Sequence, residues 1–153
     1  MEIKKDLIKS LNLIEVNIMD ANELESVIRA KAKEISVDIK RINSVIKRYE
    51  SNLEAAGKIV NKELLNHSWQ RAKVWNRLKI RWENRLLSMN KLLFNQKLLQ
   101  RAHGKAIISL IDLRSGNYTN LEKYKILDDI KNEFIINITQ SNMYIFRHYM
   151  KNI

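Results

Sequence analysis

Apolar residues recur every seven positions over residues 28–60. Two parallel series, offset by four residues, are Ile28, Ile35, Ile42, Tyr49 and Ala56, and Ile39, Ile46, Leu53 and Val60. A seven-residue repeat of this length is typical of a long helix packed against another long helix. Asp20 and Glu23 fit a capping box at its start, because the Asp carboxylate can accept a hydrogen bond from the Glu23 amide. The pattern predicts a helix over 21–57. Gly57 is either a C-cap followed by a chain reversal, which we favour, or a weak point within a longer helix.

The same kind of spacing predicts three more helices. One covers about 2–19, one about 60–113 and one about 119–151. His103-Gly104 is a candidate interruption of the third helix. The turn RSGNY (114–118) and a capping box of Thr119 and Glu122 precede the last helix. The apolar faces of the first and last helices are, respectively, Ile3, Leu7, Leu11, Ile14 and Ile18, and Tyr124, Leu127, Ile130, Phe134, Ile138, Ile145 and Tyr149.

The composition supports an all-helical chain. There is no proline and there are only three glycines in 153 residues, so the many tight turns of a β-rich fold are not expected. The hydrophobic fraction of 45% is typical of a globular protein. No linker rich in proline, glycine or serine divides the chain. We therefore expect one all-α domain over residues 1–153, an elongated bundle of about four coiled-coil-like helices.

The chain contains no cysteine, which excludes disulfides and every cysteine-based metal site. The N-terminal residues do not resemble a signal peptide, and the longest apolar run, near AIISLIDL (106–113), is far shorter than the roughly 20 residues that span a bilayer. We therefore expect a cytoplasmic protein. The formal net charge of +11 favours anionic partners, and residues 51–100 contribute +7 of it.

Large aromatic residues and cations are concentrated in HSWQRAKVWNRLKIRWENRL, residues 67–86. This segment holds all three tryptophans, six cations and one acid. On a helix, Trp75, Leu78, Trp82, Leu86, Met89 and Leu93 fall within an arc of about 80°. We call Lys73, Arg77, Arg81 and Arg85 the cationic ladder, because they follow one another at intervals of four residues. Gln70 and Lys91 extend this polar side, and Glu83 points away from it, toward Lys79.

Two interpretations of the ladder remain open at this point. The cations can be a solvated face, or pair with acids of neighbouring helices such as those of the Glu23–Glu34 region. Alternatively, they dock an anionic partner. Like charges four residues apart destabilise a helix by about 0.2–0.5 kcal/mol per pair, which burial of Trp75 and Trp82 can offset. These two tryptophans are predicted to lie in the core, whereas Trp69 is a candidate exposed anchor.

No arrangement of residues expected of an enzyme is found. The three histidines lack the spacing of paired metal ligands, and each is predicted to be a surface or cap residue. The acids of ILDDIKNEF, Asp128, Asp129 and Glu133, are expected to be exposed beside Lys125 and Lys131. Three scattered glycines cannot form a phosphate-binding loop. We therefore predict no catalytic residues, no metal site and no cofactor.

The first functional hypothesis is a non-catalytic structural or adaptor protein that docks on an acidic protein surface in a larger assembly. Phage or mobile-element assembly, a secretion machine and ribosome association are all compatible roles. Its binding residues are predicted to be Lys73, Arg77, Arg81, Arg85, Gln70, Lys91 and Trp69. The alternative is a nucleic-acid-binding protein without sequence preference that uses the same ladder on phosphates. The long heptad seam also predicts a homo-oligomer or hetero-assembly, and membrane binding is not expected.

Overall fold

The computed structural model describes residues 13–151, and the side chains of residues 16–141. Four helices and no strand are found over residues 13–151, which confirms the all-α fold class. The helices are α1 (Leu13–Ile18), α2 (Ala21–Leu65), α3 (Trp69–Ser115) and α4 (Asn120–Lys151). Ile3, Leu7 and Leu11 lie outside the described residues, as do the side chains of Ile14, Ile145, His148 and Tyr149.

Helix α2 begins where the sequence predicts. The Glu23 amide donates to the Asp20 carboxylate at 2.8 Å, and the Leu24 amide donates to the Asp20 carbonyl at 3.0 Å. Asp20 is therefore the N-cap residue, and it satisfies amides that have no partner within the helix.

The predicted reversal at Gly57 is wrong, because α2 continues without a break to Leu65. A glycine inside a helix costs only about 0.5–1 kcal/mol relative to alanine, which the adjoining heptad seam can offset. The chain reverses at 66–68 instead. His67 there has a φ of 57°, a left-handed conformation usually left to glycine. The amides of His67 and Ser68 donate to the carbonyls of Leu64 and Glu63 at 3.1 and 2.8 Å, the hydrogen-bond pattern of a Schellman motif.

Helix α3 begins at Trp69 rather than near residue 60, because α2 extends to Leu65, and it continues through the candidate interruption. His103 and Gly104 lie within its 47 residues. A Cβ atom added to Gly104 or to Gly57 would meet no atom within 4 Å, so neither glycine is needed for close approach of another chain segment.

We therefore expect Gly57→Ala and Gly104→Ala each to raise the free energy of unfolding by about 0.5–1 kcal/mol. Gly116→Ala is the matched control, because its Cβ would meet the Tyr118 ring and would lie 2.9 Å from the Asp112 carbonyl oxygen. This control should be less stable than the native chain. Urea unfolding followed by circular dichroism measures all three, and a loss of stability in the first two would mean that these positions are not open helix sites.

The chain leaves α3 within the predicted turn at 114–118, although Arg114 and Ser115 still belong to the helix. Helix α3 ends at Ser115, and α4 begins at Asn120. The Thr119 hydroxyl accepts from the Glu122 amide at 3.2 Å, and the Glu122 carboxylate accepts from the Thr119 amide at 3.1 Å. This reciprocal pair is the predicted capping box.

The chain divides into two compact units. We call residues 1–38 and 95–153 the first unit, and residues 39–94 the hairpin. In the first unit, Arg114 donates to Glu25 at 2.9 Å and Gln100 donates to Ser36 at 3.4 Å. Between these two contacts the residue number falls along α3, from 114 to 100, as it rises along α2, from 25 to 36. Helices α2 and α3 are therefore antiparallel. The first unit's core residues are Val16, Leu24, Ile28, Ile35, Leu99, Ala102, Ala106, Leu110, Leu113, Ile130, Phe134 and Ile138.

The hairpin consists of the second part of α2, the 66–68 reversal and the first part of α3. Its buried hydrophobic residues are Ile42, Ile46, Ala56 and Ala72. Ile42 and Ala56 belong to the predicted heptad series, as do Ile28 and Ile35 in the first unit, so the seven-residue pattern does mark the packed side of α2.

Two residues assigned to apolar faces are exposed instead. Ile18 is 81% exposed and Tyr124 is 78% exposed. Tyr124 lies in the second turn of α4, six residues before the buried Ile130. A periodic pattern gives the side of a helix that can be buried, but it does not give the extent of the neighbouring helix that buries it. Assigning these two residues to packed faces was therefore wrong.

Candidate partner-docking surface

Most of the net charge belongs to the hairpin. Residues 39–94 contain 13 lysines and arginines and four acids, which gives a formal charge of +9. The rest of the chain has 15 cations and 13 acids, which leaves +2 of the total of +11. The charge of +7 over residues 51–100 understates this concentration of charge. That range omits residues 39–50 of the hairpin and includes residues 95–100 of the first unit. The hairpin is the part of the chain that an anionic partner would meet most favourably.

Trp75 and Trp82, near the start of α3, are the two tryptophans predicted to lie in the core. Trp82 packs on Tyr49 of α2 with ring centroids 5.4 Å apart and planes inclined at 49°, a tilted arrangement. Trp75 and Trp82 are both half-buried, so they lie on the predicted seam without being enclosed as core residues. Two antiparallel helices cover only one side of a large indole ring, which explains why the predicted burial is incomplete.

All four residues of the cationic ladder are exposed. The ion pairs within residues 16–141 are Arg29–Glu25, Lys31–Glu34, Lys58–Glu54 and Arg114–Glu25, and none involves the ladder. Glu25 and Glu34 of the Glu23–Glu34 region therefore pair within the first unit. The described residues also contain no ion pair between Lys79 and the exposed Glu83, the pairing that the sequence favoured.

One member of the ladder has an aromatic neighbour. The guanidinium carbon of Arg85 lies 4.9 Å from the centroid of the Trp82 ring, within the range of a cation–π interaction. This contact restricts the Arg85 side chain but leaves its charge and most of its hydrogen-bond donors available, because a ring face accepts no conventional hydrogen bond. The three-residue spacing of Trp82 and Arg85 is visible in the sequence, but the inclination of the ring is not.

The remaining predicted binding residues lie at the two ends of the ladder. Trp69 is 62% exposed and precedes Lys73 by four residues, so it begins the same row. Its ring contacts the ring of His67 at a centroid distance of 5.7 Å. Gln70 is exposed and lies three residues before Lys73, whereas Lys91 is half-buried and lies six residues beyond the last member of the ladder. Lys91 is thus the residue least closely associated with this surface.

The histidine predictions have different outcomes. His67 is exposed at the end of α2, which confirms a cap position. His103 is only 3% exposed, so its assignment to the surface was wrong. Its Nδ1 lies 2.7 Å from the Leu99 carbonyl oxygen, and its ring meets the Phe134 ring edge to face at 5.1 Å. Burial lowers the pKa of His103 and nearby Lys31 lowers it further, while the hydrogen bond to Leu99 acts in the opposite direction.

The lysine and acids of the ILDDIKNEF segment are separated by the fold. Asp128, Asp129 and Glu133 are exposed, as predicted. Lys131 is 7% exposed, and its amine donates to the carbonyls of Asn17 (3.3 Å) and Met19 (2.5 Å) at the end of α1. Lys131 therefore ties α1 to α4, since a cation at a helix C-terminus satisfies carbonyls that lack partners within the helix.

The described residues contain no cluster suited to a metal ion and no helix suited to crossing a membrane. No group of three or more histidine, aspartate or glutamate side chains in that part of the chain is placed to hold a metal ion. None of the described helices combines the length and the apolar character that crossing a bilayer requires. No protein family, curated protein or solved structure matches the chain.

Proposed function

We propose that the protein is a non-catalytic helical adaptor whose hairpin docks on an acidic protein surface within a larger assembly. The single observation that supports this is the exposure of Lys73, Arg77, Arg81 and Arg85 with no ion pair to any described acid. A row of unpaired cations destabilises its own helix slightly, so it is more readily explained by a partner than by folding. The cysteine-free sequence fits a cytoplasmic location.

The alternative is binding of nucleic acid, and one observation favours it. Trp69, at the start of the ladder row, is 62% exposed, and an exposed indole next to cations is a common platform for unpaired bases. Successive ladder residues advance by about 6 Å, a spacing compatible with a phosphate backbone. Four neutralised phosphates would give a log–log salt dependence of about −3.6 on duplex DNA.

The test is charge reversal of the whole ladder. The variant carrying Lys73→Glu, Arg77→Glu, Arg81→Glu and Arg85→Glu should lose its partners in a pull-down from host lysate and keep a helical circular dichroism spectrum. Because all four side chains are exposed, we expect little change in folding stability. Treating the lysate with nuclease separates the two functions, since only partners held through nucleic acid are then lost.

A matched control reverses four exposed cations of the first unit: Lys97, Arg101, Lys105 and Lys123. The first three have the same four-residue spacing along α3 as the ladder, and the change in net charge is identical. This control should retain the partners. Equal loss of binding in both variants would show that net charge alone matters, and unfolding of the ladder variant would show that its cations are paired within the protein.

A further inference from the structure

In the first unit, one row of α3 residues is buried, and α4 packs on part of it. The row advances by steps of four and three residues, and its members Asn95, Leu99, Ala102 and Ala106 are each 5% exposed or less. Ala102 and Ala106 line a small cleft together with Phe134 and Asn137 of α4. At Ala102 and Ala106 of this row, a third helix therefore packs on the antiparallel pair formed by α2 and α3.

The same row continues into the hairpin when it is counted back along α3 by three heptads. The positions that correspond to Asn95, Leu99, Ala102 and Ala106 are Val74, Leu78, Arg81 and Arg85. Val74 is 55% exposed, both arginines are exposed, and Leu78 is half-buried. The equivalent of the covered row is therefore open in the hairpin.

The residue types in the open row indicate what would cover it. Val74 and Leu78 are apolar, whereas two arginines stand where the first unit has two alanines. Alanine allows helix α4 to approach closely without any charge of its own. A helix over Arg81 and Arg85 would have to supply carboxylates, because a guanidinium that loses water without an acceptor is costly.

We propose that the hairpin binds an acidic amphipathic helix of a partner protein, which lies on the open row as α4 lies on its equivalent in the first unit. The partner's apolar residues would contact Val74 and Leu78, and its carboxylates would pair with Arg81 and Arg85. The formal charge of +9 on the hairpin supports an acidic partner helix, because opposite charges on the two surfaces favour binding. The inference deepens the proposed function and rests on it. A second copy of the chain is a poor occupant here, because it would bring two strongly cationic hairpins together.

The test uses two synthetic peptides of about 20 residues, long enough for five or more helical turns. Both contain the same leucines and glutamates. In one peptide the leucines are spaced alternately by three and four residues, and in the other the order is scrambled so that no apolar face forms. Titration calorimetry at low salt should show the amphipathic peptide binding about tenfold more tightly, as expected from burial of one or two aliphatic side chains.

Variants of the protein locate the bound helix. Val74→Ser should remove most of the difference between the two peptides and leave binding of the scrambled peptide unchanged. Ile108→Ser is the matched control, because Ile108 is 62% exposed on the same helix but lies in the first unit. It should change neither affinity. Both substitutions are at exposed positions, and circular dichroism confirms that the variants are folded.

The possible results separate the inference from the proposed function. Equal binding of the two peptides, or a preference that Val74→Ser does not reduce, overturns the amphipathic helix and leaves the acidic partner in place. Failure of both peptides to bind at low salt overturns both proposals. If a DNA duplex binds under the same conditions, that failure favours the nucleic-acid alternative.

Discussion

Phe134→Ala is expected to lower the free energy of unfolding by about 3–5 kcal/mol, the largest effect of any single substitution considered. Phe134 is 1% exposed in the first unit, and its ring packs against that of His103. Truncation removes both the apolar burial and the aromatic contact, and it leaves a cavity that three packed helices can close only in part. A domain is usually stable by only 5–15 kcal/mol, so this loss is large.

Urea unfolding followed by circular dichroism measures the effect. The control is Ile136→Ala, two residues away on α4, because Ile136 is 55% exposed and should change stability far less. A loss below about 1 kcal/mol for the Phe134 variant would mean that α4 does not pack on α3 as described, since a buried ring cannot be removed so cheaply.

Asn95→Leu is expected to stabilise the protein by about 1–3 kcal/mol. Asn95 has no exposed surface, and neither its Oδ1 nor its Nδ2 has a hydrogen-bond partner among the described residues. Burying an amide without partners costs free energy that leucine, similar in size, does not incur. The substitution places an apolar residue in the buried row of α3 that also contains Leu99, Ala102 and Ala106.

Thermal and urea unfolding of Asn95→Leu should therefore show a higher midpoint than the native chain. Asn90→Leu is the control, because Asn90 is exposed on the same helix and gains nothing from becoming apolar. A less stable Asn95→Leu variant would show that the buried amide makes hydrogen bonds in solution whose loss outweighs the apolar gain.

The starts of α2 and α4 could be predicted from the sequence, whereas the end of α2, and with it the start of α3, could not. Helix caps use local hydrogen bonds that a few adjacent residues determine: Asp20 caps α2 through the Glu23 amide, and Thr119 and Glu122 form a full capping box. The end of α2 depends on His67 taking a left-handed conformation, for which the sequence carries no strong signal because glycine usually fills that position. Gly57 looked like the natural end, but the heptad seam continues past it.

Part of the candidate surface could also be predicted from the sequence. Helical spacing alone aligns the four cations of the ladder, and the structure shows each of them exposed. Burial of His103 and half-burial of Trp75 depend instead on how many helices surround them, and this number differs between the first unit and the hairpin. Sequence periodicity identifies one packed side of a helix, but it does not reveal where a third helix is present and where it is missing.

The small core of the hairpin has a consequence for its dynamics. With four buried hydrophobic residues over residues 39–94, local opening there should require less free energy than in the first unit, and its amides should exchange with deuterium sooner. A ligand that binds only the closed hairpin, at a hundred times its dissociation constant, would add about 2.7 kcal/mol to the free energy of opening. Slower deuterium uptake over residues 39–94 would then report complex formation, even when the spectrum of the protein does not change.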